Sequence, residues 1–428
     1  MSVDKILKAA ESRVDEVEVC GGSGHSLSAD LKRRQIEIGS KADGNGLVIR
    51  VIIDGQIGIS STDNETAWQQ CLDAAIASAR FSDRVDWKGF PGPADLSMQP
   101  LAFDPEVKAH PDIIRDLITR MLGGADAWQA DVTGGGVSVS ESSHLIANST
   151  GLWYETKSTH VSLSLEMIAG QSTGFEYDSA WRLSQVKPEF VGEQAAFFAS
   201  RGQDGDEIKT GSYDIVLSPV ALSHLLEATI IPALSGRNVH TGRSFFAEKN
   251  GQQVMDTSVS LIDDPFDPRG LGNCPWDGEG VSVQKTAFIE KGILSSFAYD
   301  LKTAYRYGEK PTGHAVRSGM GGAPGIGHHN LILTADTMDV MGEDAVYIHD
   351  LIGAHTANPM SGDFSVELSC PFHISGGALD RPIRTGMLSG NIFDLLNHVE
   401  GCSVETRTMG PLILPSVRFS GVSIVGRG

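Results

Sequence analysis

Cysteine is scarce and scattered. Five thiols, at Cys20, Cys71, Cys274, Cys370 and Cys402, form no C-x-x-C pair and leave an odd count. That argues against a disulfide framework and a zinc ribbon, and predicts reduced, mostly buried thiols. No run of about 18 apolar residues occurs, so no helical membrane span is expected. The first residues, MSVDKILKAAESRVDEVEV, have no apolar core of signal-peptide length and carry acidic groups early, so a cytoplasmic location is expected. Basic clusters are also lacking. Lys32-Arg33-Arg34 is the densest and is read as a solvated strand face, while the formal net charge is −20. Such a balance repels phosphate backbones, which excludes direct nucleic-acid binding from the expected functions. A Walker sequence and a G-x-S-x-G elbow are absent as well. Gly319-Met320-Gly321-Gly322-Ala323-Pro324-Gly325-Ile326-Gly327 is glycine-rich, but Pro324 stands where a third dinucleotide-binding glycine belongs, so the segment is read as a loop.

What is present is turn-rich and strand-rich. With 428 residues, 40% hydrophobic content and 49 glycines, the chain calls for two or three domains. The expected fold class is α+β. Residues 1–90 and 91–205 form N-terminal and central α+β units with antiparallel sheets, and 211–428 form a strand-rich domain with a curled or barrel-like sheet. Asp54-Gly55 between two β-rich runs predicts a hairpin, Gly44-Asn45-Gly46 a further turn, and the parity change between Leu27-Ala29-Leu31 and Ile36-Ile38 a bulge or turn near the basic triplet. Asn64 or Thr66 caps a helix running to Arg80. The segment 91–111 reads as a linker or crossing segment. The clearest helix, 111–128, repeats Ile114, Leu117, Ile118, Met121, Leu122 and Ala125 at 3.6-residue spacing. Residues 131–170 predict a meander of three or four strands with turns at 134–136 and 148–151. A helix over 189–200 follows, and another over 219–231.

Two places invite chemistry. The helix at 219–231 places His224 and Glu227 one turn apart; a hydrogen bond between them is the expected arrangement, and a metal would need further ligands from elsewhere. His328-His329-Asn330 resembles a metal cluster, but neighbouring side chains of an extended segment point opposite ways, so at most one faces a given site and loop polarity is expected. The stretch 270–316 crowds polar groups at its corners: Pro275-Trp276-Asp277-Gly278-Glu279-Gly280, an alternating run 281–289, a short helix 300–307, and Thr312-Gly313-His314. His314 joins His224 and Glu227 as a candidate cavity residue.

These motifs resemble the TldD/PmbA family. Its pattern is matched by PWDGEGV and KGIL within 275–294, Pro311-Thr312-Gly313-His314-Ala315, Ser361-Gly362-Asp363-Phe364-Ser365, Gly390-Asn391, and the run from Gly401 through Val404-Glu405-Thr406-Arg407 to Leu412-Ile413-Leu414-Pro415. The segment 46–62 is similar to the family's first domain. The resemblance implies a heteromeric metallopeptidase once described as a modulator of DNA gyrase. It also implies an H-E-x-x-x-H helix plus a C-terminal cysteine as the metal ligands of the TldD branch. Laid on this chain, His224 matches the first histidine, but Leu225 replaces the glutamate and Thr229 the second histidine, and 407–410 hold no cysteine; Cys402 is out of register. The resemblance is therefore to the PmbA/TldE branch. It implies no metal and no catalytic residue in this chain, zinc in a TldD-like partner, and a role in shaping a peptide-binding cavity. A stand-alone metal-dependent hydrolase using His224 and Glu227, and a homodimeric non-catalytic peptide-binding protein, are the alternatives.

Overall fold

The computed structural model describes residues 3–96, 102–319 and 322–426. Strand β1 (Glu16–Lys32) turns through Arg33 and Arg34, both left-handed at φ 47° and 61°, into β2 (Gln35–Ile53). The parity change thus falls at a turn within the basic triplet, and a register shift between Asp30 and Leu31 adds a bulge beside it. Asp54 and Gly55, at φ 51° and 73°, turn β2 into β3 (Gln56–Thr62), as a two-residue hairpin loop demands. Gly44-Asn45-Gly46 is not a turn: β2 runs through it. The partners across β1 are Gly24, Ser23 and Gly22, so small residues face small residues and the ladder continues unbroken.

Nor is 134–136 a turn. It lies inside β4 (Asp131–Asn148), where the register shifts between Val132 and Gly134 against β5 (Trp153–Ala169). Gly135 sits at φ 142°, and a Cβ there would come within 2.5 Å of Ser164 O. With β6 (Ser172–Ala180), the strands form one curled antiparallel sheet in the order β3-β2-β1-β4-β5-β6. The β1–β4 pairing makes the sheet continuous across the first two units. Of the crossing segment 91–111, residues 97–101 lie outside the described residues, and the remainder up to Pro111 carries no helix or strand.

Period-two alternation gives this sheet two unlike faces. On one, Leu27, Ala29, Val137, Val139, Val161 and Leu163 pack under α3 (Pro111–Ala125) and α4 (Pro188–Arg201). The expected stripe of α3 is buried at Ile114, Leu117, Ile118, Met121 and Ala125. The two helices cross closely because Gly192 has no side chain: a Cβ there would stand 1.8 Å from Met121 O. At the β2–β3 end, α1 (Val3–Ala10) and α2 (Trp68–Ala79) cover Val17, Val19, Ile49 and Val51. Asn64 caps the short 3-10 turn before α2.

The C-terminal sheet closes on itself. Strand β7 (Gly211–Leu217) pairs with Ala345–Ile352, which pairs with Asp363–Ser375, then Met387–Asn391, then Leu412–Val425, which returns to β7. These five strands make a closed barrel, from which further strands of the same sheet branch. Helix α5 (Pro219–Ala228) is capped by the Ser218 hydroxyl and packs Val220, Leu222, Leu225 and Leu226 into the barrel core. It stops three residues short of the expected end. Thr229 leaves helical geometry at φ −130°, and a separate turn Ile230–Ala233 follows. The expected strand 281–289 shrinks to Thr286–Glu290. Asp277 gathers the preceding residues into a turn, its carboxylate accepting from the backbone N–H of Glu279, Val281 and Ala315.

Buried charge joins sheet to barrel. Arg50 on β2 faces Glu18 on β1 at 2.7 Å and also pairs with Glu279, while Arg317 pairs with the second oxygen of Glu18. Glu279 accepts the Leu301 N–H at the start of the helix Leu301–Tyr307. The guanidinium of Arg50 also lies 4.8 Å from the Phe90 ring centre. At the far end of the sheet, Arg407 grips Glu176 with two hydrogen bonds of 2.8 and 3.1 Å. Removing one partner of such a group strands an unpaired buried charge. Arg50→Ala is expected to cost about 3–5 kcal/mol in urea-unfolding experiments; a loss below about 1 kcal/mol would show that the ion pairs do not hold the sheet to the barrel.

Candidate functional site

The second face of the curled sheet turns toward the barrel. Reading β1, β4 and β5 across the register, its rows are Ser26-Ser140-His160, Ser28-Ser138-Ser162 and Asp30-Gly136-Ser164. The serines of these rows are half-buried. Small hydroxyl side chains give this floor both hydrogen-bond donors and room. Opposite it stands α5, and between them lies a groove of about 470 Å³ lined by Ser138, Ser162, Phe175, Tyr177, Asp178 and His224, among others. A second cavity of about 430 Å³ continues past His224 to Glu227, Gly353 and His355. His224 borders both cavities and Glu227 the second.

The anticipated His224–Glu227 hydrogen bond is not the one that forms. His224 Nδ1 lies 2.9 Å from Asp350 Oδ1 on the neighbouring barrel strand. That hydrogen bond to Asp350 pushes the imidazole above its ordinary range, against the opposing effect of burial. Burial pushes the Glu227 carboxyl up, and the His224 charge draws it partly back. Leu225 is fully buried in the barrel core. The Thr229 hydroxyl donates to Leu225 O at 2.5 Å and is fully buried too. Neither position offers a donor to the groove. The turn at Met409 and Gly410 does meet α5, since a Cβ built on Gly410 would stand 3.8 Å from Glu227 Oε1. It brings no thiol, and Cys402 instead points its sulfur at Ala335 O. The residues along α5 therefore do not fit a peptidase metal.

His314 is not a cavity residue. It is buried in the barrel domain with Asp263 and His329, and the ligand-type atoms of the three lie within 4.8 Å of one another. His328 and His329 do not form a polar loop either, being only 8% and 6% exposed. Only His329 turns to Asp263, which agrees with opposite-pointing neighbours. His328 packs edge-on to Phe288, where burial pushes its imidazole down to about 4. Burial alone would raise the Asp263 carboxyl, but the adjoining His314 and His329 imidazoles outweigh it and hold it well below the usual carboxylate range. This group could hold a metal. Nothing in the sequence near Asp263 marks it, because its partners lie 51 and 66 positions further along the chain.

Family models cover most of the chain. Residues 17–79 match the PmbA/TldA metallopeptidase domain 1, residues 101–203 the central domain, and residues 210–426 the C-terminal domain. The chain belongs to the PmbA/TldA metallopeptidase family. Among family relatives, an uncharacterized protein of Methanocaldococcus jannaschii is 32% identical over 98% of this chain and 99% of its own length. The metalloprotease PmbA of Escherichia coli O157:H7 is 24% identical over 98% and 95%. The crystal structure of TldE from Thermococcus kodakarensis superposes with a TM-score of 0.92 at 25% identity, covering 100% of both chains. A Thermotoga maritima structure at 24% identity and TM-score 0.90 shares the fold over 99% of both. Within the PmbA/TldA family frame, the α5 wall and the Asp263 group are two separate places. Among the described residues no helix is long and apolar enough to cross a membrane.

The His224–Asp350 contact sets a pH dependence. A histidine raised in the folded state contributes stability that is full below its unfolded value near 6.5 and is lost as pH rises through the higher folded value. NMR titration is expected to place His224 above about 6.5, and Asp350→Asn to lower its midpoint. An unchanged midpoint in that variant would contradict the pairing.

Proposed function

We propose that this chain is the PmbA/TldE-like subunit of a cytosolic TldD/TldE-type metallopeptidase. It forms one wall of the peptide-binding cavity, and a TldD-like partner supplies the zinc and the hydrolytic water. The observation that carries this reading is the make-up of α5. Its groove-facing His224 is held by Asp350, and the two following positions that a zinc helix needs are a core leucine and a threonine hydrogen-bonded to its own helix. A leucine polarises no water, and a threonine hydroxyl is a poor zinc ligand.

Two features support a peptide as the occupant. The groove floor is built of small hydroxyl side chains, which contact a main chain without selecting for bulky residues. Residues 36–46 of β2 pair with β1 only; among the described residues no strand pairs with them on the outer side. An exposed edge of that kind adds an extended peptide or another chain's strand through main-chain hydrogen bonds.

Co-expression with a TldD-like chain that has an intact H-E-x-x-x-H helix is the test. A stable heteromer that cleaves unfolded peptides, while this chain alone does not, is expected. Two other results would each overturn the assignment. Cleavage by the chain alone that His224→Ala abolishes would favour the stand-alone hydrolase, and a homodimer that binds peptide and ignores the TldD-like chain would favour the binding protein.

A further inference from the structure

Asp263 ends the strand Ser260–Asp263, and its two oxygens are used differently. Oδ1 accepts the backbone N–H of Asn330 at 2.7 Å and of His329 at 3.0 Å, the latter N–H also reaching Oδ2 at 3.3 Å. Oδ2 lies 2.9 Å from His329 Nδ1 and 3.2 Å from His314 Nε2. The backbone thus fixes the carboxylate and leaves Oδ2 facing both imidazoles.

His314 is held from behind. Its Nδ1 lies 2.8 Å from Thr312 Oγ1, which accepts the Tyr299 N–H at 2.8 Å and reaches Tyr299 O at 3.3 Å. With the Thr312 hydroxyl proton directed to Tyr299 O, the threonine accepts from Nδ1–H, and Nε2 carries the free lone pair. Histidine ligands of metals are oriented in this way by a partner on the other ring nitrogen. Despite its distance from Oδ2, His314 Nε2 makes no hydrogen bond, and it is fully buried. A buried ring nitrogen left without a partner loses its hydration and regains nothing in exchange. An ion at the point where the lone pair, Oδ2 and His329 Nδ1 converge removes that cost at His314.

The spacing suits a small divalent ion. Ligand bonds of about 2.0–2.1 Å in a tetrahedral zinc site place the donor atoms about 3.3 Å apart; here Oδ2 lies 2.9 and 3.2 Å from the two ring nitrogens, and all three atoms fall within 4.8 Å of one another. Asp277 accepts the N–H of Ala315, the residue after His314, so a second buried carboxylate stands next to the group.

We propose that Asp263 Oδ2, His314 Nε2 and His329 Nδ1 bind one zinc-type divalent ion that serves as a structural tie. The ion fastens the strand Ser260–Asp263 to the corner at His314 and to the segment entering the strand Leu331–Thr334. Two imidazoles and one carboxylate suit zinc or its cobalt and nickel surrogates better than calcium or magnesium, which prefer all-oxygen sites. A water takes the fourth position. The role is structural because the three residues are 0%, 1% and 6% exposed and lie apart from the groove at α5. The site belongs to this chain alone and is independent of any partner's metal.

The test uses the full chain expressed by itself in zinc- or cobalt-supplemented medium. Elemental analysis should find one ion per chain, and the cobalt form should show the intense visible absorption of a tetrahedral centre. His329→Ala and His314→Gln should lose both the ion and the spectrum and melt at lower temperature, while His224→Ala should keep them. Should a variant fail to fold, the wild-type metal content still decides. Wild-type chain free of zinc and cobalt after such expression, or an ion retained by both His314→Gln and His329→Ala, would overturn the proposal.

Discussion

The buried guanidinium of Arg50 is the contact on which the rest of the molecule depends. It sits where the N-terminal sheet meets the C-terminal domain, between Glu18 from its own sheet and Glu279 from the turn that Asp277 organises. Neither carboxylate is exposed, so each depends on a cation being present. Arg317 completes the group from the C-terminal side, and Trp276 packs on Tyr154 beside it with ring centres 4.9 Å apart. With Glu176 and Arg407 fastening the other end, the sheet is held at both ends. The serine rows between these anchors face α5 across a gap. The groove is a consequence of where the charges are.

On the reading proposed above, that gap is a binding wall. Its floor carries short hydroxyls, and its far side carries a histidine committed to an aspartate. The cavity beyond it adds Glu227, whose carboxyl burial pushes up. Polarising a scissile carbonyl and generating a nucleophilic water call for a Lewis acid or a well-placed base, and α5 contributes its equivalent positions to the hydrophobic core instead. The buried Asp263 group stands apart from that gap and, as proposed, answers a different need, the fastening of three segments.

Much of this was legible from local pattern. The stripe of α3, the Asp54-Gly55 hairpin and the turn near Arg33 each follow from a short run of residues, and the family motifs follow from longer ones. Gly44-Asn45-Gly46 misled because a glycine's conformation depends on what lies across the ladder, here Gly22 and Gly24. Helix α5 ends at Ala228, four residues before Pro232, whose missing N–H leaves the Ala228 carbonyl without its helical donor. The facing of His224 and Glu227 follows from helical spacing, but the partner of His224, Asp350, lies 126 positions away. The Asp263 group was invisible for the same reason: its members come from three segments brought together only when the barrel domain closes.

The central claim is that the groove between the serine rows and α5 is where this chain meets its substrate. It is tested most directly by photo-crosslinking an unfolded peptide carrying a photoreactive side chain to the assembled heteromer and mapping the adducts by mass spectrometry. The account predicts adducts on this chain along β4, β5 and α5, around Ser138, Ser162 and His224. Adducts confined to the partner, or to this chain's outer helices α1 to α4, would contradict it.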